Sequence, residues 1–371
     1  MRSSAVPGLP GVLSQAQVSK TASAIAGAQE RSGAIPWFEG GHVDPWDHVE
    51  CAMALLVGGQ HEAAERAYAW MFTTQREDGS WAMRTTAGVV DDAGADTNMC
   101  AYVAVGVWHH WLVRHDAAFL ARAWPAVRRA LDYVTGLQLA FGGIAWAQGE
   151  AGGVTEAGLL AGSSSIYHAL ASGIALAGLV DEPQPEWELA AGRLGHAVRE
   201  HEDRFEPKAR FSMDWYYPVL GGPLRGTAAR ARLEARWDEF VVAGLGIRCV
   251  QDRPWVTGAE TCELALALDA VGDRGRALTL LRDMQHLRDE DGSYWTGYVY
   301  PDEARWPLER STWTAAAVIL AVDAMSSTTP GSGIFRGNGL PARFAEIGLE
   351  CGCPGEHDSA DQVAGLASNP R

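Results

Sequence analysis

Six tryptophan-bearing loops recur along the chain, each between a charged amphipathic stretch and a more apolar one. Three share a Gln…Gly…Trp pattern: Gln29…Gly33…Trp37, Gln75…Gly79…Trp81 and Gln138…Gly142…Trp146. Gln285…Gly292…Trp295 keeps all three at a wider spacing, Gln251…Trp255 lacks the glycine, and the fourth loop, Phe211 to Tyr217, keeps the aromatic residues and loses the glutamine. Charge on one face predicts outer helices near 13–30, 61–76, 117–138, 186–204, 225–242 and 274–287. The stretches 44–58, 96–113, 163–180, 258–271 and 311–325 are apolar nearly all round, which marks inner helices. The fourth inner helix, after Trp215, is short and broken. One outer–inner pair cannot bury its apolar face, whereas neighbours in a ring can. The expected fold is all-α, an (α/α)6 toroid over residues 1–326 with no β-rich domain. The Gly-, Pro- and Ser-rich segment 327–371 reads as a partly irregular tail laid on the ring.

The order outer helix, loop, inner helix places all six loops on one face, at the N-terminal ends of the inner helices. There the chain concentrates its chemistry. Asp44 is an N-cap candidate and Pro45 suits the first helical position, so Asp47 falls in the first turn of inner helix one. Superposing Gly59 on Gly272 places Asp47 on Glu260 and Glu50 on Glu263. Acids at matching depth on two inner helices suit general acid–base work. The competing reading is capping: Thr257-x-x-Glu260 is a capping box and Asp44-x-x-Asp47 a close relative. Glu50 and Glu263, one turn deeper, are expected to pair with Arg or His. Asp91, Asp92 and Asp96 form a third acidic corner, with Asp96 equally suited to cap a helix.

Fifteen tryptophans are available for packing between helices or for stacking on sugar faces. Trp37, Trp46, Trp81, Trp215, Tyr217 and Trp255, with Asp44, Asp96 and Glu263, are the expected substrate contacts. A net charge of −16 argues against nucleic acid and anionic membranes as partners. The histidines show no metal-ligand spacing, and no phosphate loop, nucleophile elbow or cofactor motif stands out. Cys51, Cys100, Cys249 and Cys262 read as buried thiols, and Cys351 and Cys353 lack a matching Cys/His pair. With no apolar run of ~18 residues and no signal peptide, a soluble cytoplasmic monomer or homodimer is expected.

The Gln…Gly-Ser-Trp loops resemble those of terpene cyclases and prenyltransferases, but Val90-Asp91-Asp92 lacks the Asp-x-Asp-Asp proton donor and no Asp/Cys/His zinc set can be placed. Asp44-Pro45-Trp46-Asp47 and the late Glu260 are more similar to inverting glycosidases on the (α/α)6 scaffold, and most to the actinobacterial hydrolases of methylmannose polysaccharide, which are α-(1→4)-endomannosidases. The resemblance covers about residues 13–326 and implies Asp47 as acid and Glu260 as base, on a neutral, methylated mannan and without a cofactor. An inverting pair stands ~6.5–9.5 Å apart, leaving room for a water. A cyclase with a dry aromatic cavity and a non-catalytic glycan-binding toroid are the rival readings.

Overall fold

The computed structural model describes residues 5–341 and 344–346. Six outer–inner helix pairs follow one another along the chain. Outer α1 (Gln15–Ala28) leads to inner α2 (Pro45–Val57), and outer α3 (His61–Thr74) to inner α4 (Thr97–Ala101), which continues after Tyr102 as α5 (Val103–Arg114). Outer α6 (Ala117–Thr135) leads to inner α7 (Leu160–Leu179), and outer α8 (Pro185–Glu200) to inner α9 (Ser212–Leu220). Outer α10 (Gly226–Ala235), extended by the single turn α11 (Trp237–Phe240), leads to inner α12 (Gly258–Ala270), and outer α13 (Arg274–Asp283) to inner α14 (Thr312–Ser326). The inner helices touch in the cycle α2, α5, α7, α9, α12, α14 and back to α2, which closes the ring. All residues of α2 are buried, as a helix apolar all round requires. The (α/α)6 toroid expected from the repeats is therefore the fold, and the obscure fourth inner helix is the nine-residue α9.

The repeat has a mechanical reason. Gln29 Nε2 donates to Gly33 O at 2.9 Å in its own loop and to Ala63 O at 3.0 Å on the next outer helix. Gln75 does the same to Gly79 O and Ala126 O, both at 2.9 Å, and Gln138 to Gly142 O at 2.9 Å and Ala190 O at 3.0 Å. Each glutamine thus straps one outer helix to its neighbour. Gly79, at φ +95°, lets the strap close, because a Cβ there would stand 2.2 Å from Arg129 O.

Among the described residues every strand lies in an outer-to-inner connection, so all of them decorate the loop face. β1 (His42–Val43), β2 (Arg84–Thr86) and β3 (Val89–Asp92) form one antiparallel sheet. β4 (Ala95–Asp96) pairs with β5 (Ala147–Gln148). β6 (Val241–Val242), β7 (Gly246–Arg248), β8 (Trp255–Thr257), β9 (Gly297–Val299) and β10 (Ala304–Arg305) form a third sheet, ordered β10-β9-β8-β7-β6. None is longer than four residues, and none runs through the ring.

The described start of the tail packs on the opposite face. Arg336 is ion-paired to buried Asp269 near the end of α12, and Arg225 Nη2 donates to Phe335 O at 3.1 Å. Phe335 lies 5.5 Å from His168 of α7. Cys351 and Cys353 lie outside the described residues. Among the described residues no helix is long and apolar enough to cross a membrane.

Candidate active site

Chain direction brings the first turns of all six inner helices to the loop face. At α2, Asp44 is the N-cap: its Oδ1 accepts the backbone N–H of Trp46 at 3.0 Å and of Asp47 at 2.9 Å. The reciprocal bond that would complete a capping box, from Asp44 N to the Asp47 carboxyl, is not made, so the Asp47 side chain is not a cap. That carboxyl sits against the Asp44 side chain, only 5% exposed. Burial, then the Asp44 charge, push its pKa well above the ordinary carboxylate range. At α12 the capping box of the competing reading is absent: Thr257 makes no side-chain cap bond to the helix. Glu260, also 5% exposed, instead has the Cys249 thiol against its carboxyl group.

One turn deeper, Glu50 and Glu263 do not pair with Arg or His as expected. Tyr216 and Tyr217 both donate to Glu263, Tyr217 at 2.6 Å, and Tyr102 donates to Glu50 at 3.5 Å. Burial pushes Glu50 up to about 8. Burial and then the Glu50 charge push Glu263 well up. With no Arg, Lys or His paired to either carboxyl among the described residues, tyrosine hydroxyls and protonation are what make two facing carboxyls tolerable.

A cleft of about 320 Å³ opens over Asp47, walled by Trp37, Trp46, Trp313, Arg84 and Asp92. Trp46 stands 5.2 Å from Tyr102, 5.6 Å from Trp313 and 6.4 Å from Tyr217, so the aromatic wall runs from the cleft down to Glu263. Five of the inner helices bring a buried polar atom without a hydrogen-bond partner to their start, Trp46 Nε1, Asn98 Oδ1, Ser163 Oγ, Ser212 Oγ and Thr257 Oγ1, while the Trp313 indole of the sixth lies against Glu50. Buried polar groups are normally satisfied. Five such atoms at one end of the barrel suit a ligand rich in hydroxyls.

The other expected residues are placed as follows. Asp96 caps α4, accepting the Met99 N–H at 3.0 Å, and burial raises it to about 6. Trp81 and Trp215 are core wedges rather than funnel residues: they are 2% and 1% exposed, with Nε1 bonded to Met71 O and Arg232 O. Trp255 stands outside the cleft, in the five-stranded sheet, 5.0 Å from Trp306. His48, whose pKa burial lowers to about 4, is structural: Nδ1 accepts from Ile35 N at 3.0 Å and Nε2 donates to Ala67 O at 2.9 Å. Trp313 was missed, although Ser311-Thr312-Trp313 repeats the cap-plus-two position of Asp44-Pro45-Trp46. Asp214, raised to about 6 by burial, is structural: it accepts the Ala161 N–H at 3.3 Å in the first turn of α7. No group of three or more His, Cys, Asp or Glu among the described residues has the geometry to hold a metal ion.

No protein-family model matches the chain. It is 62% identical over 349 residues to an MMP endo-(1,4)-3-O-methyl-alpha-D-mannosidase of Mycolicibacterium hassiacum, covering 94% of this chain and 97% of that one. Among solved structures, a wild-type glycosidase matches at TM-score 0.67 and 16% identity, covering 85% of this chain and 98% of the other. A D-mannose isomerase matches at TM-score 0.65 and 13% identity, covering 84% and 96%. The structural matches are similar in fold alone. The identity to the M. hassiacum protein over nearly the whole of both chains shows that this chain belongs to the family of that mannosidase and is a glycoside hydrolase.

Proposed function

We propose that the chain cleaves internal α-(1→4) linkages of a neutral, 3-O-methylated mannan with inversion of configuration. The observation that carries this reading is Asp47: a buried carboxyl, relieved of capping by Asp44, raised in pKa, and open to an aromatic cleft. A protonated Asp47 gives its proton to the leaving glycosidic oxygen. Glu260, at the equivalent depth on α12, takes a proton from the water that attacks the anomeric carbon from the other ring face. The C–O bond to the leaving sugar breaks as the C–O bond to water forms, and both carboxyl groups return to their starting states by proton exchange with solvent. Asp44 and Glu263 hold the two acids' surroundings, and Trp37, Trp46 and Tyr217 line the path of the sugar.

The reading also places the reaction in the cytoplasm, consistent with four unpaired cysteines among the described residues. The test is hydrolysis of 3-O-methylmannose oligosaccharides, with products sized by mass spectrometry, for the native enzyme, Asp47→Asn and Glu260→Gln. Each substitution is expected to lower kcat by at least the ~10²–10⁴-fold typical of one acid–base group. Normal turnover by either variant rejects the assignment of that residue.

A further inference from the structure

A second groove, of about 790 Å³, lies outside the ring of inner helices. It runs between α1 and the connection into α14, with Ile25 and Ala315 at its floor and Phe38, Trp295 and Leu308 along its sides. Its size falls in the ~300–1,000 Å³ range of ligand sites. One loop separates it from the cleft. Trp37 walls the cleft, while its Nε1 donates at 2.7 Å to Glu309, which lines the groove. The Thr312 N–H donates to Trp37 O at 2.8 Å and fixes that partition.

The groove's cations are already engaged. Lys20 donates to Glu290 O at 2.5 Å, and Arg310 pairs with Asp289 at 2.9 Å and Asp291 at 3.3 Å. Glu39, Asp291 and Glu309 also line the groove and outnumber the two cations, which disfavours an anionic ligand. Hydrogen-bonding capacity remains: Glu309 accepts both Trp37 and Thr296 on Oε1, which leaves Oε2 free, and the buried Trp295 Nε1 has no partner. Apolar surface is exposed as well, with Leu308 at 86% and neighbouring Trp306 at 54%. Isolated apolar side chains are common on surfaces, but Leu308 lines a polar, concave groove that adjoins the cleft.

We propose that this groove is a distal subsite that binds neutral hexose units of the same chain, a few residues away from the bond being cut, with their O-methyl groups against Leu308 and Phe38. The inference rests on the endo-acting reading above, because only a chain cut internally extends beyond the cleft in both directions. Continuity through Trp37 favours the glycan over a protein partner.

The experiment compares a long methylated mannan with a short 3-O-methylmannose oligosaccharide, using native enzyme, Ser23→Trp, which fills the groove from α1, and Leu308→Ser. Loss of binding shared by ground and transition states raises KM and leaves kcat alone, so KM for the long chain is expected to rise roughly tenfold in Ser23→Trp, with the short substrate unaffected. Unchanged KM for the long chain in both variants overturns the subsite, as does a change in oligomeric state on Ser23→Trp without a kinetic effect, which would make the groove an interface between copies. Direct titration of the long chain against Glu260→Gln, alone and combined with Ser23→Trp, separates the two readings. If the native enzyme hydrolyses nothing but Ser23→Trp still weakens binding, the groove stands and the catalytic reading falls. Equal binding with and without Ser23→Trp overturns the groove.

Discussion

Asp44 Oδ1 accepts the backbone N–H of Asp47 at 2.9 Å, so two acids three residues apart divide two duties between them. Asp44 ends the helix and Asp47 is left for chemistry. Losing an N-cap costs ~0.5–2 kcal/mol. Asp44→Ala is therefore expected to lower stability by about 1 kcal/mol in denaturant titration, whereas Asp47→Asn keeps stability near the native value and loses hydrolysis. A large stability loss in Asp47→Asn with normal turnover would return Asp47 to a capping role.

Glu50 carries a pH signature. Its pKa is raised from 4.5 to about 8, so the folded state holds a proton that the unfolded state has released. Its stabilising contribution is fully present below about 4.5 and is lost as pH rises towards about 8. Unfolding free energy measured across that window is expected to fall with pH in the native protein and to fall less steeply in Glu50→Gln. Parallel curves for the two proteins contradict the account.

The glutamine straps make the loop glycines sensitive. Gly79→Ala puts a Cβ into Arg129 O at a positive φ, with an expected cost on the order of 1–3 kcal/mol. Thermal melting should show it as a lowered Tm, with the kinetics of the remaining folded enzyme unchanged. Gly40→Ala serves as a control for the positive φ alone, since nothing lies within 4 Å of a Cβ there.

Much of this was legible in the sequence because it is periodic. The outer and inner helices alternate in charge and apolarity, and α2, α12 and α14 proved to be inner helices. The strands were not legible, since each is two to four residues held by pairing across repeats rather than by local pattern. Tryptophans could not be sorted from sequence. Trp46 lines the cleft and Trp81 wedges the core, yet both sit in loop-to-helix segments; what separates them is that Trp81 gives its indole N–H to Met71 O and Trp46 leaves its own unpartnered. The tyrosines around Glu263 come from α9, the repeat with the weakest signal, so the mistaken expectation of Arg or His partners follows from not placing that helix.

Binding should be nearly blind to salt. Arg84, which lines the cleft, already has Asp91 at 3.9 Å, and the proposed ligand is neutral. The dissociation constant of a mannan oligosaccharide for Glu260→Gln is expected to change less than about twofold between low and high salt, where screening lengths fall below ~10 Å. Trp46→Ala, which removes the aromatic wall, should weaken binding at both. A steep salt dependence would point to an anionic ligand.

The central claim is that Asp47 and Glu260 act as the acid and base of an inverting hydrolase. Proton NMR of the first product formed from an α-(1→4)-linked 3-O-methylmannan tests it most directly, read before mutarotation. The account predicts that the new reducing end appears as the β-anomer and relaxes to the equilibrium mixture. An α-anomer from the first time point would mean retention, a covalent intermediate, and a different role for Glu260.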